Sequence, residues 1–288
     1  MNMPAAAPTI VVPIHNAVAA LDACLGSLLR TLPATARVHL ADDASSDPAV
    51  AAVLDGFGRQ APFAVTRVRR PHNLGFIGNV NRAFAETAPA DLVLLNSDTV
   101  TTPGWLQRLQ ACVASDPRIA TATPWSNNAE ICSFPDFCRA APLPEDPDAL
   151  AEAAAGEHEP AYPELPTGVG FCMFVRRAAL DALGDFDQAT FGRGYGEEND
   201  FCLRAAAHGW RNVLCDTAWV GHRGGESFAA AGHHPGGENL ARLNARYPEY
   251  NARVADFILR DPLRPLRERL AARLAARRRD PAQGALFA

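Results

Sequence analysis

The sequence predicts an α/β protein whose central sheet is Rossmann-like, mostly parallel and flanked by helices. Along the first half of the chain, short apolar runs alternate with amphipathic runs, as strands and their covering helices do in such sheets. One run, 91–99, reads Asp-Leu-Val-Leu-Leu-Asn-Ser-Asp-Thr; it is short enough for a buried parallel strand and stops at the carboxylate of Asp98. Because open α/β sheets bind ligands at the carboxyl ends of their strands, this boundary predicts a site.

Each predicted element has its own sequence signal. Leu21, Leu25 and Leu28 share one face of the first helix, which Pro33 ends. Predicted strands are short apolar runs, and they cover 9–15, 38–41, 64–68, 92–95, 119–123, 168–176 and 218–220. Predicted helices cover 18–32, 77–87, 178–183 and 200–208, with further helices beginning near Pro48 and Pro103.

The composition excludes several classes of protein. With 288 residues, 48% of them hydrophobic and 20% charged, the chain is an ordinary globular protein. Its net charge of -5 argues against a nucleic-acid partner, because such proteins usually carry a basic excess. The chain has no lysine, so all 27 residues counted as Lys or Arg are arginines, and neither Schiff-base chemistry nor a Walker-type phosphate loop is available. The seven cysteines are scattered without a Cys-x-x-Cys pair, which indicates reduced core residues rather than a zinc site.

Sequence signals at the two ends bear on location. The segment 1–8 lacks the features of a signal peptide, and no apolar run reaches the roughly 18 residues of a membrane helix, so we expect a cytoplasmic protein. From about 253 onward, leucines alternate with arginines, and two interpretations stay open. The helix either packs on its own domain or contacts the inner face of a membrane as a peripheral, interfacial helix.

Two segments depart from the regular α/β pattern. Between about 134 and 166 prolines recur and the periodicity fades, which predicts a long irregular loop with at most one short, alanine-rich helix. We therefore predict one domain over 1–252 and a basic amphipathic helix and tail over 253–288.

Acids and one histidine at four boundaries point to one kind of chemistry. They lie in 41–43, at Asp98, in 196–200 and in 221–223. Carboxylates are ligands for hard divalent cations, and such cations neutralise phosphate oxygens. The pattern predicts a metal-assisted site for a phosphorylated ligand.

Five motifs, in this order, resemble the family 2 glycosyltransferases over about residues 9–230, including rhamnosyltransferase-like and cell-wall glycan enzymes of bacteria. They are Thr-Ile-Val-Val-Pro-Ile-His-Asn at 9–16, Ala-Asp-Asp-Ala-Ser-Ser-Asp at 41–47, Asn-Leu-Gly-Phe at 73–76, Leu-Leu-Asn-Ser-Asp-Thr at 94–99 and Gly-Glu-Glu-Asn-Asp-Phe-Cys-Leu-Arg at 196–204. The resemblance implies a GT-A fold, a nucleoside-diphosphate sugar donor (UDP- or dTDP-linked), Mn²⁺ or Mg²⁺, and inversion at the anomeric carbon.

By this resemblance, the first motifs bind the donor. Asp43 would contact the nucleobase with Asp42 in support, although acids before a helix also cap backbone N–H groups. The remaining donor-binding residues implied are Pro13, Asn73, Gly75, Asn79, Ser97, Gly168 and Gly170. The two glycines would let the donor sugar approach the backbone closely.

The resemblance also implies a metal site at Asp98 and His222. Family members often carry Asp-x-Asp where this chain has Asn96-Ser97-Asp98, so an amide replaces the first carboxylate. His222 follows a short apolar run and would complete the site, since imidazole is a reasonable ligand of Mn²⁺.

The segment 197–200 carries the predicted catalytic acids. Glu198 matches the position of the family's general base, where an aspartate is usual, and Asp200 completes the motif. Acids at a helix start are also favoured by the helix dipole, and Asp200 could instead pair with Arg204 one turn on. Trp125, just past a predicted strand, is either a stacking surface for an acceptor sugar or a core residue.

The predicted function is therefore transfer of a sugar from a nucleoside diphosphate to a hydroxyl of a glycan or lipid-linked acceptor. One alternative is a catalytically silent module that binds a sugar nucleotide or scaffolds a glycan-assembly complex. A sugar-nucleotide pyrophosphorylase is disfavoured, because the glycine-rich loop and arginine that it needs are missing after Val11.

Overall fold

The structure, a computed structural model, describes residues 7–156, 159–224 and 237–279. Within these ranges the strands are β1 (Thr9–Ile14), β2 (Arg37–Asp42), β3 (Ala64–Arg69), β4 (Leu92–Leu95), β5 (Thr99–Val100), β6 (Ile119–Trp125), β7 (Cys172–Val175), β8 (Arg211–Trp219) and β9 (Gly221–His222). The helices are α1 (Val18–Thr31), α2 (Ala49–Gln60), α3 (Gly75–Glu86), α4 (Trp105–Ser115), α5 (Pro147–Ala155), α6 (Arg177–Leu183), α7 (Gln188–Phe191), α8 (Glu197–Ala207), α9 (Glu238–Arg246), α10 (Tyr250–Arg260) and α11 (Arg264–Arg279), and a short 3-10 helix spans Glu130–Cys132.

In the described ranges, one seven-stranded sheet has the order β3-β2-β1-β4-β7-β6-β8. All neighbouring strands are parallel except β7, which is antiparallel to both β4 and β6. Strands β5 and β9 form a separate antiparallel pair. The predicted mostly parallel α/β sheet is confirmed.

This topology brings several chain segments to one edge of the sheet. The carboxyl ends of β1, β2, β4 and β6 share that edge, because these strands run in one direction. Cys172, the first residue of β7, pairs with Leu95, the last residue of β4, so the segment before β7 enters at the same edge.

Helices on both faces explain the apolar strands. Alternate residues of β1 enter opposite cores: Val12 packs in the cluster that contains Trp105, and Val11 packs in the cluster that contains Phe84. A strand buried on both faces is therefore apolar at consecutive positions, which is why β1 and β4 are recognisable in the sequence.

Three predicted boundaries needed correction. The strand predicted over 168–176 is regular only over β7, and 168–171 leads into it irregularly. The helix predicted from Asp200 begins three residues earlier, at Glu197, because the acidic residues form its first turn. The strand predicted over 218–220 is the end of the longer β8.

The irregular segment and the C-terminal region pack together. The predicted short, alanine-rich helix is α5, whose first turn is capped by the Asp146 carboxylate accepting from the Ala149 N–H at 2.9 Å. Leu263, Leu266 and Leu270 of the C-terminal region are buried in the same core cluster as β1. Of the two interpretations of these leucines, packing on the chain's own core is what the structure shows. The described helices include none with the length and apolar character to cross a membrane.

Candidate active site

A cavity of about 970 Å³ opens at the carboxyl edge of the sheet. It brings together most of the predicted site residues, namely Pro13, Asp43, Asn73, Gly75, Asn79, Ser97, Asp98, Gly168, Gly170, Glu198 and His222. Asp42 and Asp200 are not among the residues that line it.

Asp43 holds the turn that begins α3. Its Oδ1 accepts from the Leu74 N–H at 2.7 Å and its Oδ2 accepts from the Gly75 N–H at 2.9 Å. Burial raises the pKa of Asp43, and the two backbone hydrogen bonds only partly offset that effect. Gly75 has a φ of 76°, a conformation that glycine adopts at little cost.

The neighbouring Asp42 does not line the cavity and stabilises the turn after β2. Its Oδ1 accepts from the Ser45 N–H at 2.9 Å and its Oδ2 accepts from Arg69 Nη1 at 2.6 Å. Asn79 also has a structural role, although it borders the cavity: its amide donates to the Ala41 carbonyl and accepts from Arg70 Nε, both at 2.8 Å.

Two cavity residues near Asp43 were missed in the sequence analysis. The His15 ring lies 3.1 Å from the Asp43 carbonyl and 3.2 Å from the Asn73 amide nitrogen. Arg193 donates to Asn73 Oδ1 and places a cationic side chain in the cavity lining. The available signal for Arg193 was its position between glycines just before the acids of α8.

Asp98 and His222 are neighbours in the cavity lining. His222 Nδ1 lies 2.6 Å from the Asn128 carbonyl, and because a carbonyl only accepts, Nδ1 carries the hydrogen. In the neutral ring Nε2 then presents a lone pair, 3.4 Å from Asp98 Oδ1. The Phe171 ring stacks on the imidazole, with centroids 5.1 Å apart, and holds its plane.

Two acceptor atoms that face each other fit a cation between them. Asn96 Oδ1, near the same site, is buried and has no hydrogen-bond partner within the described residues. Nowhere in the described ranges do three or more His, Cys, Asp or Glu side chains cluster as a metal site would. Asp98, His222 and Asn96 Oδ1 supply few protein ligands. A divalent ion held by them would take its remaining ligands from a diphosphate and water, as Mg²⁺ commonly does.

Glu198 projects from the first turn of α8 toward the segment before β7. Its Oε1 accepts from the Gly170 N–H at 3.2 Å. A Cβ at residue 170 would lie 2.9 Å from the same oxygen, so a larger residue there would force the Glu198 carboxylate to shift. Glu197 is 1% exposed, and burial together with the negative charge of Glu198 raises its pKa well above the usual value.

Comparison with known proteins places the chain in a family. A model of glycosyl transferase family 2 matches residues 9–184, more than half of the chain. The chain belongs to glycosyl transferase family 2. No curated protein matches it by sequence.

Solved structures share the fold of this family 2 chain at 16–17% identity. GalNAc-T7 with UDP, GalNAc and Mn²⁺ aligns with a TM-score of 0.65 over 87% of this chain and 50% of that one. Mannosyltransferase PcManGT from Pyrobaculum calidifontis, with GDP-Man and Mn²⁺, aligns at 0.57 over 97% and 78%, and S. aureus TarS 1-349 with UDP-GlcNAc aligns at 0.53 over 77% and 60%. This chain thus spans half of the GalNAc-T7 chain, and the similarity confirms the predicted GT-A fold.

In this family 2 chain, two further candidates lie outside the cavity lining. Asp200 is fully buried and accepts from Arg204 Nε at 2.8 Å, Arg246 Nη1 at 2.7 Å and the Tyr247 hydroxyl at 2.8 Å, which includes the predicted pair with Arg204. Trp125 is 1% exposed and donates to the Asp216 carbonyl, so it is a core residue and not a stacking surface.

Proposed function

We propose that this chain is a metal-dependent, inverting glycosyltransferase that moves a sugar from a UDP- or dTDP-linked donor to a hydroxyl of a glycan or lipid-linked acceptor. One observation carries the proposal: Asp43, the Asp98–His222 pair and Glu198 line the same cavity at the carboxyl edge of the sheet. A cytoplasmic location belongs to the proposal and is supported by the seven cysteines, all of them free thiols.

Asp43 and its surroundings bind the nucleoside. Each Asp43 oxygen accepts one backbone N–H and keeps a lone pair for a base N–H or a ribose hydroxyl. The Pro13 backbone and Asn73 border the same part of the cavity. Asp42 acts only indirectly, by holding the turn that positions Asp43.

The diphosphate lies near the Asp98–His222 pair. These two residues, with Asn96 Oδ1 and beside Ser97, would hold Mn²⁺ or Mg²⁺, which when bound neutralises the charge on the departing diphosphate. Support comes from GalNAc-T7 and PcManGT, both solved with Mn²⁺.

Glu198 is the general base. As the acceptor oxygen bonds to the anomeric carbon, its proton passes to the Glu198 carboxylate, and the bond from that carbon to the diphosphate breaks with its electron pair leaving on the phosphate. Attack from the side opposite the diphosphate inverts the configuration. Gly170 holds Glu198 through its N–H, and Asp200 positions α8 without contacting the reactants.

The test is nucleoside diphosphate release from a panel of UDP-, dTDP- and GDP-sugars with Mn²⁺ or Mg²⁺. We expect Glu198→Gln to bind nucleoside diphosphate as the native chain does but to lose about 10² to 10⁴ in turnover. Glu145→Gln, an exposed residue outside the cavity, is the control and should match the native chain.

Turnover that survives Glu198→Gln would refute its role as base. Tight nucleotide binding by the native chain, with no release from any donor, would instead favour the silent binding or scaffold module. The amide at Asn96 and the longer Glu198 side chain are the observations that favour that second candidate.

A further inference from the structure

A third glutamate lines the cavity and has no part in the function proposed above. Glu130 follows β6, and its backbone has a φ of 46°, in the left-handed region that residues with a side chain rarely adopt. Its carbonyl accepts from the Ser133 N–H at 3.0 Å and from the Cys138 N–H at 3.2 Å, which holds this conformation. Backbone strain that the surroundings enforce is typical of functional positions.

The Glu130 carboxylate is available to a ligand. Among the described residues it has neither a hydrogen bond nor an ion pair, and it is open to the cavity. Glu130 and Glu198 line the same cavity, and desolvation by the surrounding protein, followed by the negative charge of Glu198, raises the pKa of Glu130.

An independent observation points to a ligand beside these acids. Glu197 also lines the cavity, and its Oε2 is buried without a hydrogen-bond partner in the described part of the chain. A buried polar atom left unpaired is costly, and a ligand hydroxyl, which can both donate and accept, would satisfy it whether or not Glu197 is protonated.

Two tyrosines, Tyr195 and Tyr250, line the same cavity as these acids. Burial raises the pKa of Tyr195, and the charges of Glu198, Glu197, Asp98 and Glu130 raise it further. Burial raises the pKa of Tyr250 as well, with Glu130 as the next cause. Aromatic faces beside carboxylate acceptors suit a sugar ring, which has apolar C–H faces and a rim of hydroxyl donors.

Resting on the function proposed above, we propose that Glu130 binds the acceptor and that the part of the cavity lined by Glu130, Glu197 and Glu198 takes a hydroxyl-bearing sugar ring. Glu130 accepts a hydrogen bond from a hydroxyl next to the reacting one, while Glu198 receives the proton of the reacting hydroxyl. Glu130 thereby selects acceptors with neighbouring hydroxyls over simple alcohols.

The test uses the full chain, the nucleoside diphosphate that it binds, and a panel of p-nitrophenyl hexopyranosides as acceptor probes. Saturation-transfer NMR measures glycoside binding, and transfer kinetics give KM and kcat. We expect Glu130→Gln to weaken binding of the best glycoside and raise its KM by about 10- to 100-fold, as loss of a hydrogen bond to a charged group does. Nucleoside diphosphate affinity, slow donor hydrolysis and kcat should change little, and Glu145→Gln should match the native chain.

Unchanged glycoside affinity in Glu130→Gln would overturn the inference, as would loss of nucleoside diphosphate binding in that variant. A native chain that binds nucleoside diphosphate but no glycoside would overturn the sugar-acceptor assignment and leave the donor site standing. A native chain that binds no nucleoside diphosphate would overturn the proposed function and this inference with it.

Discussion

Arg246 donates to Asp200 Oδ1 at 2.7 Å and so joins α9 to the helix that carries Glu198. The same guanidinium donates to Asp187 Oδ2 at 2.8 Å and to Thr190 Oγ1 at 2.7 Å, at the start of α7. Arg246 lies beyond the region that the family model matches, and it contacts both segments that flank residues 192–196. Arg193 and Tyr195, within 192–196, line the cavity. We infer that Arg246 positions the start of α8, which carries Glu197 and Glu198.

We therefore expect Arg246→Ala to lower kcat more than it raises the donor KM. Asp200, fully buried, keeps Arg204 and Tyr247 but loses one charged partner, which should cost about 1–3 kcal/mol of unfolding free energy. Urea unfolding and donor turnover measure the two effects. Arg242→Ala, one turn earlier and without a contact to Asp200, is the matched control. Equal losses in both variants would mean that the helix as a whole, rather than the Arg246–Asp200 contact, matters.

The Asp98–His222 pair predicts how Mn²⁺ binds. Both His222→Gln and Asp98→Asn should weaken Mn²⁺ binding in the presence of nucleoside diphosphate by about tenfold or more, because each removes one ligand of a site poor in protein ligands. Electron paramagnetic resonance titration of free Mn²⁺ measures this directly, without turnover. His208→Gln, an exposed histidine on another part of the chain, should bind like the native protein. Native affinity in both site variants would show that the ion binds elsewhere.

Much of the fold could be predicted because burial on both faces makes a strand apolar at consecutive positions. Strands β1 and β4 have every residue buried, and their boundaries follow the apolar runs closely. The order of the sheet and the reversed direction of β7 could not be read from the sequence, since pairing partners lie far apart along the chain. The short elements α7 and β5 have too few residues to show a period.

Some residues of the candidate site could also be predicted from the sequence, and others could not. Residues at strand ends, such as Asp43 and Asp98, were predictable. The strand pattern does not say which of two adjacent acids enters the cavity; the family resemblance favoured Asp43 over Asp42, and of the two only Asp43 lines the cavity. The Asp200–Arg204 pair follows from helical spacing, whereas the second partner of Asp200, Arg246, lies in a separate helix. Glu130 went unnoticed because it begins a 3-10 helix of three residues, which is too short for spacing or periodicity to mark a residue.

The raised pKa of Glu197 predicts how stability changes with pH. From about its ordinary value of 4.5 up to its raised value, the folded chain holds a proton that the unfolded chain has lost, so Glu197 destabilises the fold increasingly as pH rises. Glu197→Gln removes this titration while keeping the shape. The free energy of unfolding of the variant minus that of the native chain should therefore increase with pH above about 4.5 and level off below it.

Urea unfolding at several pH values measures this difference. Glu145→Gln, whose side chain is exposed, should show no such slope. A difference for Glu197→Gln that is flat with pH would mean that Glu197 is ionised in the folded chain, contrary to its burial beside Glu198.

The two leucines at the junction of the C-terminal helices separate core packing from surface contact. Leu263 is fully buried in the main core cluster, so Leu263→Ala should lower the free energy of unfolding by about 2–5 kcal/mol. Leu259 is 85% exposed, and Leu259→Ala should change it by less than about 0.5 kcal/mol. Urea unfolding compares the variants, and similar losses would contradict the packing described for Leu263. If the inner face of a membrane is also a partner, liposome co-sedimentation should weaken for Leu259→Ala, since its exposed side chain is free to insert and that of Leu263 is not.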